Sequence, residues 1–195
     1  MSNHISGDSK VVHIGFDDTD SAEGRCTTNL AFKTISKLTS ETDSKFIDYP
    51  LLVRLNPNIP WKTRGNGAIC LRIKTDQPSQ IIEYMVKILR TEPDIANGAN
   101  PGLAIFEGDN IPLALRQFSN RAMYDVIKME EAEKLASQLS IQIFKYGKGL
   151  GIIGAMASIG SLLEGDHTYE AIAYRKDEHH GSTRKIDKSK VSKLN

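Results

Sequence analysis

Apolar and polar positions run along this chain with two periods. Val11–Phe16 (VVHIGF) is a short apolar run closed by acids and predicts a buried strand. Cys26–Leu38 carries Leu30, Ala31, Ile35 and Leu38 at helical spacing. Phe46–Leu55 is β-rich, and its Pro50 predicts an edge or a bulge. Ala68–Lys74 (AICLRIK) alternates like a half-buried strand, Pro78–Arg90 predicts a helix with Pro near its start, and Leu103–Phe106 a brief strand. Loops fill Asn56–Gly67 and Thr91–Gly102. The order is β-α-β-β-α-β, the split βαβ pattern of a ferredoxin-like unit. From Ile111 the pattern predicts two helices (Ile111–Ile127 and Met129–Leu139), a strand at Ile141–Lys145, a Gly/Ala-rich helix at Leu150–Leu163 and a strand at Thr168–Tyr174. The expected fold class is α+β: a ferredoxin-like βαββαβ unit followed by a second, incomplete βαβ ferredoxin-like unit. The expected division is a leader over 1–10, a first domain over 11–110, and a helical connection with the cut-short unit over 111–195. A half-built unit before the polar, basic stretch Arg175–Asn195 leads us to expect that the natural domain continues past Asn195.

Composition narrows the picture. The 195 residues are 39% hydrophobic and 25% charged, enough for a core without staples, which excludes collagen-like, coiled-coil and wholly disordered chains. Cys26 and Cys70 are the only cysteines, so neither a disulfide scaffold nor a cysteine zinc site is supported. Met1–Lys10 has no apolar segment of signal-peptide type, and the longest uncharged run, Gly149–Leu163, is too short and Gly-rich to span a bilayer. A soluble, cytoplasmic protein without a membrane partner is expected. A net charge of +1 argues against purely electrostatic nucleic-acid binding, so RNA contact needs local basic patches.

Three loops hold the candidate chemistry. Asp17, Asp18 and Asp20 crowd the end of the first strand, with Thr19 and Ser21 between them. Crowded carboxylates repel, and a hard cation with phosphate oxygens offsets that repulsion; a solvated turn in which Asp or Ser caps the next helix is the alternative. Thr27 and Thr28 follow Gly24 at a helix start, where a hydroxyl caps the helix, binds phosphate or accepts a phosphoryl group. Cys26 reads as a small packing residue. The loop RLNPNIPWKTRGNG joins Arg54, Lys62 and Arg64 to Pro57, Pro60, Gly65, Gly67 and three asparagines, and its Trp61 either stacks on a base or plugs the core. The third loop, KYGKGLGIIG, fits G-x-G-x-x-G over Gly149–Gly154 between a strand and a helix. Too little chain follows for a dinucleotide fold. Close helix packing by Gly154, Ala155 and Ala157, or phosphate contact by Lys145, Lys148 and the loop amides, are the preferred readings. His179-His180 reads as a solvated pair.

The motifs DDTDS…GRCTT (Asp17–Thr28) and RLNPNIPWKTRGNGA (Arg54–Ala68) resemble the N-terminal kinase-like domain of the archaeal isoleucine-tRNA 2-agmatinylcytidine synthetases. NPG at Asn100–Gly102, GLGIIGAMASIG at Gly149–Gly160 and TYEAIAYR at Thr168–Arg175 extend the resemblance, with gaps, from about Val11 to the chain end. It implies a ligase that uses ATP with Mg2+ and agmatine to modify the wobble cytidine of the isoleucine tRNA with a CAU anticodon. Cytosine O2 is phosphorylated first, and agmatine then displaces phosphate. By matching position, Asp17, Asp18 and Asp20 become magnesium ligands and catalytic acids, and Thr27 an autophosphorylated threonine. Lys62 and Arg64 become stabilisers of phosphate charge. Thr19, Ser21, Thr28, Gly65, Asn66, Gly67, Lys148 and Gly149 then line the nucleotide phosphates. The family's OB-fold and zinc ribbon, which hold the tRNA, have no counterpart in this sequence. The second expectation is therefore a non-catalytic nucleotide- or RNA-binding fragment.

Overall fold

The computed structural model describes residues 9–165, 167–172, 174, 183, 187–191 and 193. They fall into two compact units, one ending at Leu163 and one starting at Glu164. In the first, β1 (Lys10–Asp17), α1 (Thr27–Glu41), β2 (Lys45–Phe46), β3 (Leu51–Arg54), β4 (Gly67–Thr75), α2 (Pro78–Thr91) and β5 (Gly102–Glu107) follow in the expected order. α3 (Leu113–Ala122), α4 (Met129–Gln138), β6 (Gln142–Lys145) and α5 (Ile152–Gly160) complete it. The six strands form one antiparallel sheet in the order β2-β4-β1-β5-β6, and β3 also pairs with β4. The run broken by Pro50 thus becomes two short strands on one neighbour, as a residue without an N–H requires.

The sheet is covered on both faces. Val12, Ile14 and Phe16 of β1 pack with Leu30 and Leu38 of α1 and with Ile81, Met85 and Leu89 of α2. On the other face Ala68, Cys70 and Ala104 meet Leu115 and Phe118 of α3 and Ile152 and Met156 of α5. β4, expected as a half-buried strand, is instead buried on both faces over residues 68–73, because helices cover both sides of the sheet. Each fully buried large side chain contributes about 1.5–3 kcal/mol. α5 lies between the sheet and α3, and its small residues let backbones close up. A Cβ at Gly15 would drive into the Ala155 carbonyl.

Two expectations are corrected. β6 does not open a second sheet: it completes the outer edge of the first, with Leu103 opposite Phe144 and Ala104 opposite Ile143. α5 packs on that same sheet, so the elements expected to begin an incomplete second ferredoxin-like unit belong to the first compact unit. The strand expected at Thr168–Tyr174 does not form among its described residues. A strand needs a neighbour for its backbone groups. Here Tyr169 and Ile172 stand exposed instead. Among the described residues of this second unit, only Lys188–Val191 form a short helix. The leader to Asp8, His179-His180 and most of the basic tail lie outside the described residues. No helix among the described residues is long and apolar enough to cross a membrane.

Candidate active site

The acidic loop leaves β1 at Asp17, and its backbone is forced. Asp18 (φ 56°) and Arg25 (φ 68°) both adopt the left-handed conformation. This costs on the order of 1 kcal/mol for a residue with a Cβ. The loop supports that cost with its own bonds. Ser21 N–H donates to Gly24 O (2.9 Å), Glu23 N–H to Ser21 Oγ (3.1 Å), and Ser21 Oγ to Asp94 Oδ2 (2.6 Å). Thr19 is buried and donates to Thr27 Oγ1 (3.0 Å) in the first turn of α1.

Capping does not explain the hydroxyls. Cys26 occupies the N-cap of α1 and makes no side-chain cap bond; Thr27 is committed to Thr19, and Thr28 Oγ1 lies 3.1 Å from Cys26 Sγ. The first N–H groups of α1 are left without a side-chain acceptor, the arrangement that favours an anion.

Arg64 joins the basic loop to the acidic one. Its guanidinium donates to Ser21 O (3.1 Å) and Arg25 O (3.3 Å), and its Nε lies 3.6 Å from Asp20 Oδ2. Lys62 is not brought in: its Nζ donates to Ile59 O (3.4 Å) and the residue is exposed. Asn66 closes the neck of its loop, donating to Asn56 O (2.8 Å) and accepting Leu55 N–H (2.8 Å). Gly67 starts β4 opposite Arg54, and Gly65 stands beside the Arg54 guanidinium. Trp61 is 61% exposed, which removes its reading as a core plug.

The glycine-rich turn meets the acidic loop from the other side. Gly151 and Gly154 have no room for a Cβ, since Asp17 O stands against the first and the Asp17 carboxylate against the second. Close packing is thus what Gly151 and Gly154 supply at this turn. Lys148 reaches the site through its backbone, donating its N–H to Asn100 Oδ1 (3.0 Å). Gly149 (φ 67°) is the buried residue that turns the chain there.

These placements shift the carboxylates. Burial pushes Asp17 well above the usual range, and the Asp18 and Asp20 charges add to it. Asp18 rises to about 6 through burial and the Asp20 charge, held back by hydrogen bonds from Asn100 and Thr63. Burial also raises Asp20, against the pull of Arg64. Asn100, Thr63 and Asp94 were not identified as site residues in the sequence. They are uncharged or isolated there, and only the N-P-G turn around Asn100 was a signal.

The fold and site together describe an α+β protein with an acidic loop, a helix start and a glycine-rich turn gathered at one end of its sheet. A family model described as the TiaS TCKD domain matches residues 13–77, and one described as the TiaS FLD domain matches residues 149–195. The isoleucine-tRNA 2-agmatinylcytidine synthetase TiaS of Cenarchaeum symbiosum (strain A) is 40% identical over 175 residues, covering 90% of this chain and 39% of that protein. The enzyme of the same name from Pyrococcus horikoshii is 41% identical over 187 residues, covering 94% and 43%. A solved complex of TiaS with an isoleucine tRNA and ATP superposes with a TM-score of 0.84 at 34% identity, covering 95% of this chain and 44% of that one. A complex of TiaS with an isoleucine tRNA, AMPCPP and agmatine gives a TM-score of 0.82 at 32% identity, with the same coverage. This chain belongs to the TiaS family. It spans about two fifths of the length of these curated relatives.

Proposed function

We propose that this chain is the ATP-using part of a tRNA-modifying ligase, with kinase-type chemistry carried by residues 11–110. The substrate is the wobble cytidine of the isoleucine tRNA with a CAU anticodon, which places the protein in the cytoplasm. ATP gives its γ-phosphoryl group to cytosine O2 and leaves as ADP. The amine of agmatine attacks C2, the C2–O bond breaks, phosphate leaves, and the amine proton passes to solvent. The named relatives, and the solved TiaS complexes with an isoleucine tRNA, ATP or agmatine, support this reading. The observation that carries it is the docking of Arg64 onto an acidic loop whose carboxylates are all raised, beside the uncapped start of α1.

The donor set fits magnesium, being hard oxygens whose crowding a cation relieves. Among the described residues no three His, Cys, Asp or Glu side chains converge on one point, so phosphate oxygens would complete the shell. Asp18 and Asp20 would hold the ion, with Asp17 behind them; it would neutralise charge on the triphosphate. Arg64 orients the loop and faces the transferring group. Thr27 accepts phosphate only after its bond to Thr19 parts. Lys62 reaches the nucleotide only by loop movement, and Thr28, Gly65 and the Lys148–Gly149 backbone border the phosphates. Thr19, Ser21, Asn66 and Gly67 shape the loops that do so. The longer relatives carry further chain, expected to include an OB-fold and a zinc ribbon, which we assign to tRNA grip.

The test is transfer of label from γ-labelled ATP to the protein and to unmodified CAU-anticodon isoleucine tRNA, with Asp18→Ala alongside. Label on Thr27 or the wobble cytidine, lost in the variant, is expected. No transfer by a folded protein that still binds Mg-ATP leaves a binding fragment and sinks autonomous catalysis.

A further inference from the structure

Ser21 holds the acidic loop with four bonds. Its N–H donates to Gly24 O (2.9 Å), its Oγ accepts the Glu23 N–H (3.1 Å), and its carbonyl accepts the Arg64 guanidinium (3.1 Å). The fourth bond leaves the loop: Ser21 Oγ donates to Asp94 Oδ2 at 2.6 Å, the shortest of the set. Ser21 is 2% exposed and directly follows Asp20, whose carboxylate lies 3.6 Å from Arg64 Nε. Fixing Ser21 therefore fixes where Asp20 can stand. Asp94 comes from the connection between α2 and β5, 73 residues along the chain and between the two segments matched by the family models. Its own turn holds it in place. Its carbonyl accepts the Asn97 and Ala99 N–H groups (both 3.1 Å), and its carboxylate accepts the Asn97 side-chain amide (3.0 Å at Oδ1, 3.2 Å at Oδ2). An Asp that served only this turn would need no partner in a distant loop, yet one of its oxygens meets the Ser21 hydroxyl. A misplacement of about 1 Å at a reacting centre costs on the order of 100-fold in rate, so such an anchor bears on chemistry. We propose that Asp94 is a positioning residue: through the Ser21 hydroxyl it anchors the acidic loop to the α2–β5 connection, so that the loop does not rely on Arg64 alone to present its carboxylates to the nucleotide. The proposal rests on the acidic loop being the nucleotide site.

Four variants test this: Asp94→Ala, Ser21→Ala, the two together, and Asn97→Ala, which removes the Asn97 amide from Asp94 and leaves the Ser21 bond. The readouts are amide exchange at Glu23, whose N–H is bonded to Ser21 Oγ, and single-turnover transfer from γ-labelled ATP. Losing a supporting partner of this kind typically costs about 10–100-fold. In Asp94→Ala and in Ser21→Ala we expect transfer at saturating ATP to slow by that factor. Half-saturating ATP should stay within about threefold of wild type, since the interaction acts in transfer and not in binding. The double variant is expected to be no slower than the slower single one, because both substitutions remove the same bond. Glu23 exchange in Asp94→Ala should speed about fivefold, the worth of one hydrogen bond. Asn97→Ala should match wild type in both readouts. The positioning role is overturned by a slowing of less than about tenfold in either single variant, or by an equal slowing in Asn97→Ala. It is also overturned by a double variant slower than both singles, or by a loss no greater than the loss of folded fraction seen by circular dichroism. If the wild type transfers nothing, the proposed function fails and the exchange arm still decides. Unchanged Glu23 exchange in Asp94→Ala then overturns the anchor, and faster exchange there with a wild-type rate in Asn97→Ala supports it.

Discussion

At the residue scale, the carboxylate cluster is kept at the expense of stability. The Asp18 pKa rises from 3.8 to about 6 on folding, so the folded state holds its proton more tightly than the unfolded chain. Stability from this group is therefore present below pH 3.8 and is lost as pH rises through about 6. The unscreened shift is worth about 3 kcal/mol. Solvent access reduces it, and Asp18→Asn is expected to raise stability at pH 7 by about 1–2 kcal/mol in the absence of metal. Urea unfolding at pH 4 and pH 7 checks this, and equal gains at both pH values would refute it. The two cysteines are unlike. Burial pushes the Cys70 thiol up to about 12, whereas Cys26 is only part-buried at the start of α1. The native protein is expected to take up one equivalent of a thiol reagent, at Cys26, and a second only on unfolding. Two fast equivalents would contradict the packing of β4.

At the element scale, α5 closes the site through the absence of side chains. Gly154→Ala would push a methyl group into the Asp17 carboxylate, and overpacking of this kind costs about 1–3 kcal/mol. A fall in the urea midpoint with an unchanged m-value is the expected signature. The acidic loop depends on Arg64, whose planar fork makes two carbonyl bonds and an ion pair at once. Lysine presents one point charge and does not reproduce that pattern. Arg64→Lys is expected to speed limited proteolysis within the 18–26 loop about tenfold, and Lys62→Ala to leave it unchanged. Equal rates in the two variants would remove Arg64 as the clamp.

At the scale of the molecule, the unit ending at Leu163 has a core on each face of its sheet. A chain ending at Leu163 is expected to keep the core amide protection and melting temperature of the whole, within about 3 °C, as checked by hydrogen exchange and calorimetry. Loss of cooperative melting would show that the second unit is needed for folding. The sequence by itself determined β1, α1, β4, α2 and β5, because their apolar periods match faces that the sheet and its helices bury; the run around Pro50 split into β2 and β3. It also marked the acidic and basic loops as the candidates for chemistry, because clustered like charges are costly without a use. Where β6 belongs was decided by the tertiary structure, since an alternating tetrapeptide does not say whose edge it joins. Thr168–Tyr174 alternates equally well, yet no partner strand is present among the described residues, so pattern alone did not make a strand. The division of labour between Arg64 and Lys62 is tertiary as well. Both are cations two residues apart, and only the path of the loop puts one of them on the acidic turn. The N-P-G turn was legible at Asn100, but only the fold showed that it bonds the Lys148 and Gly151 N–H groups of the glycine-rich turn.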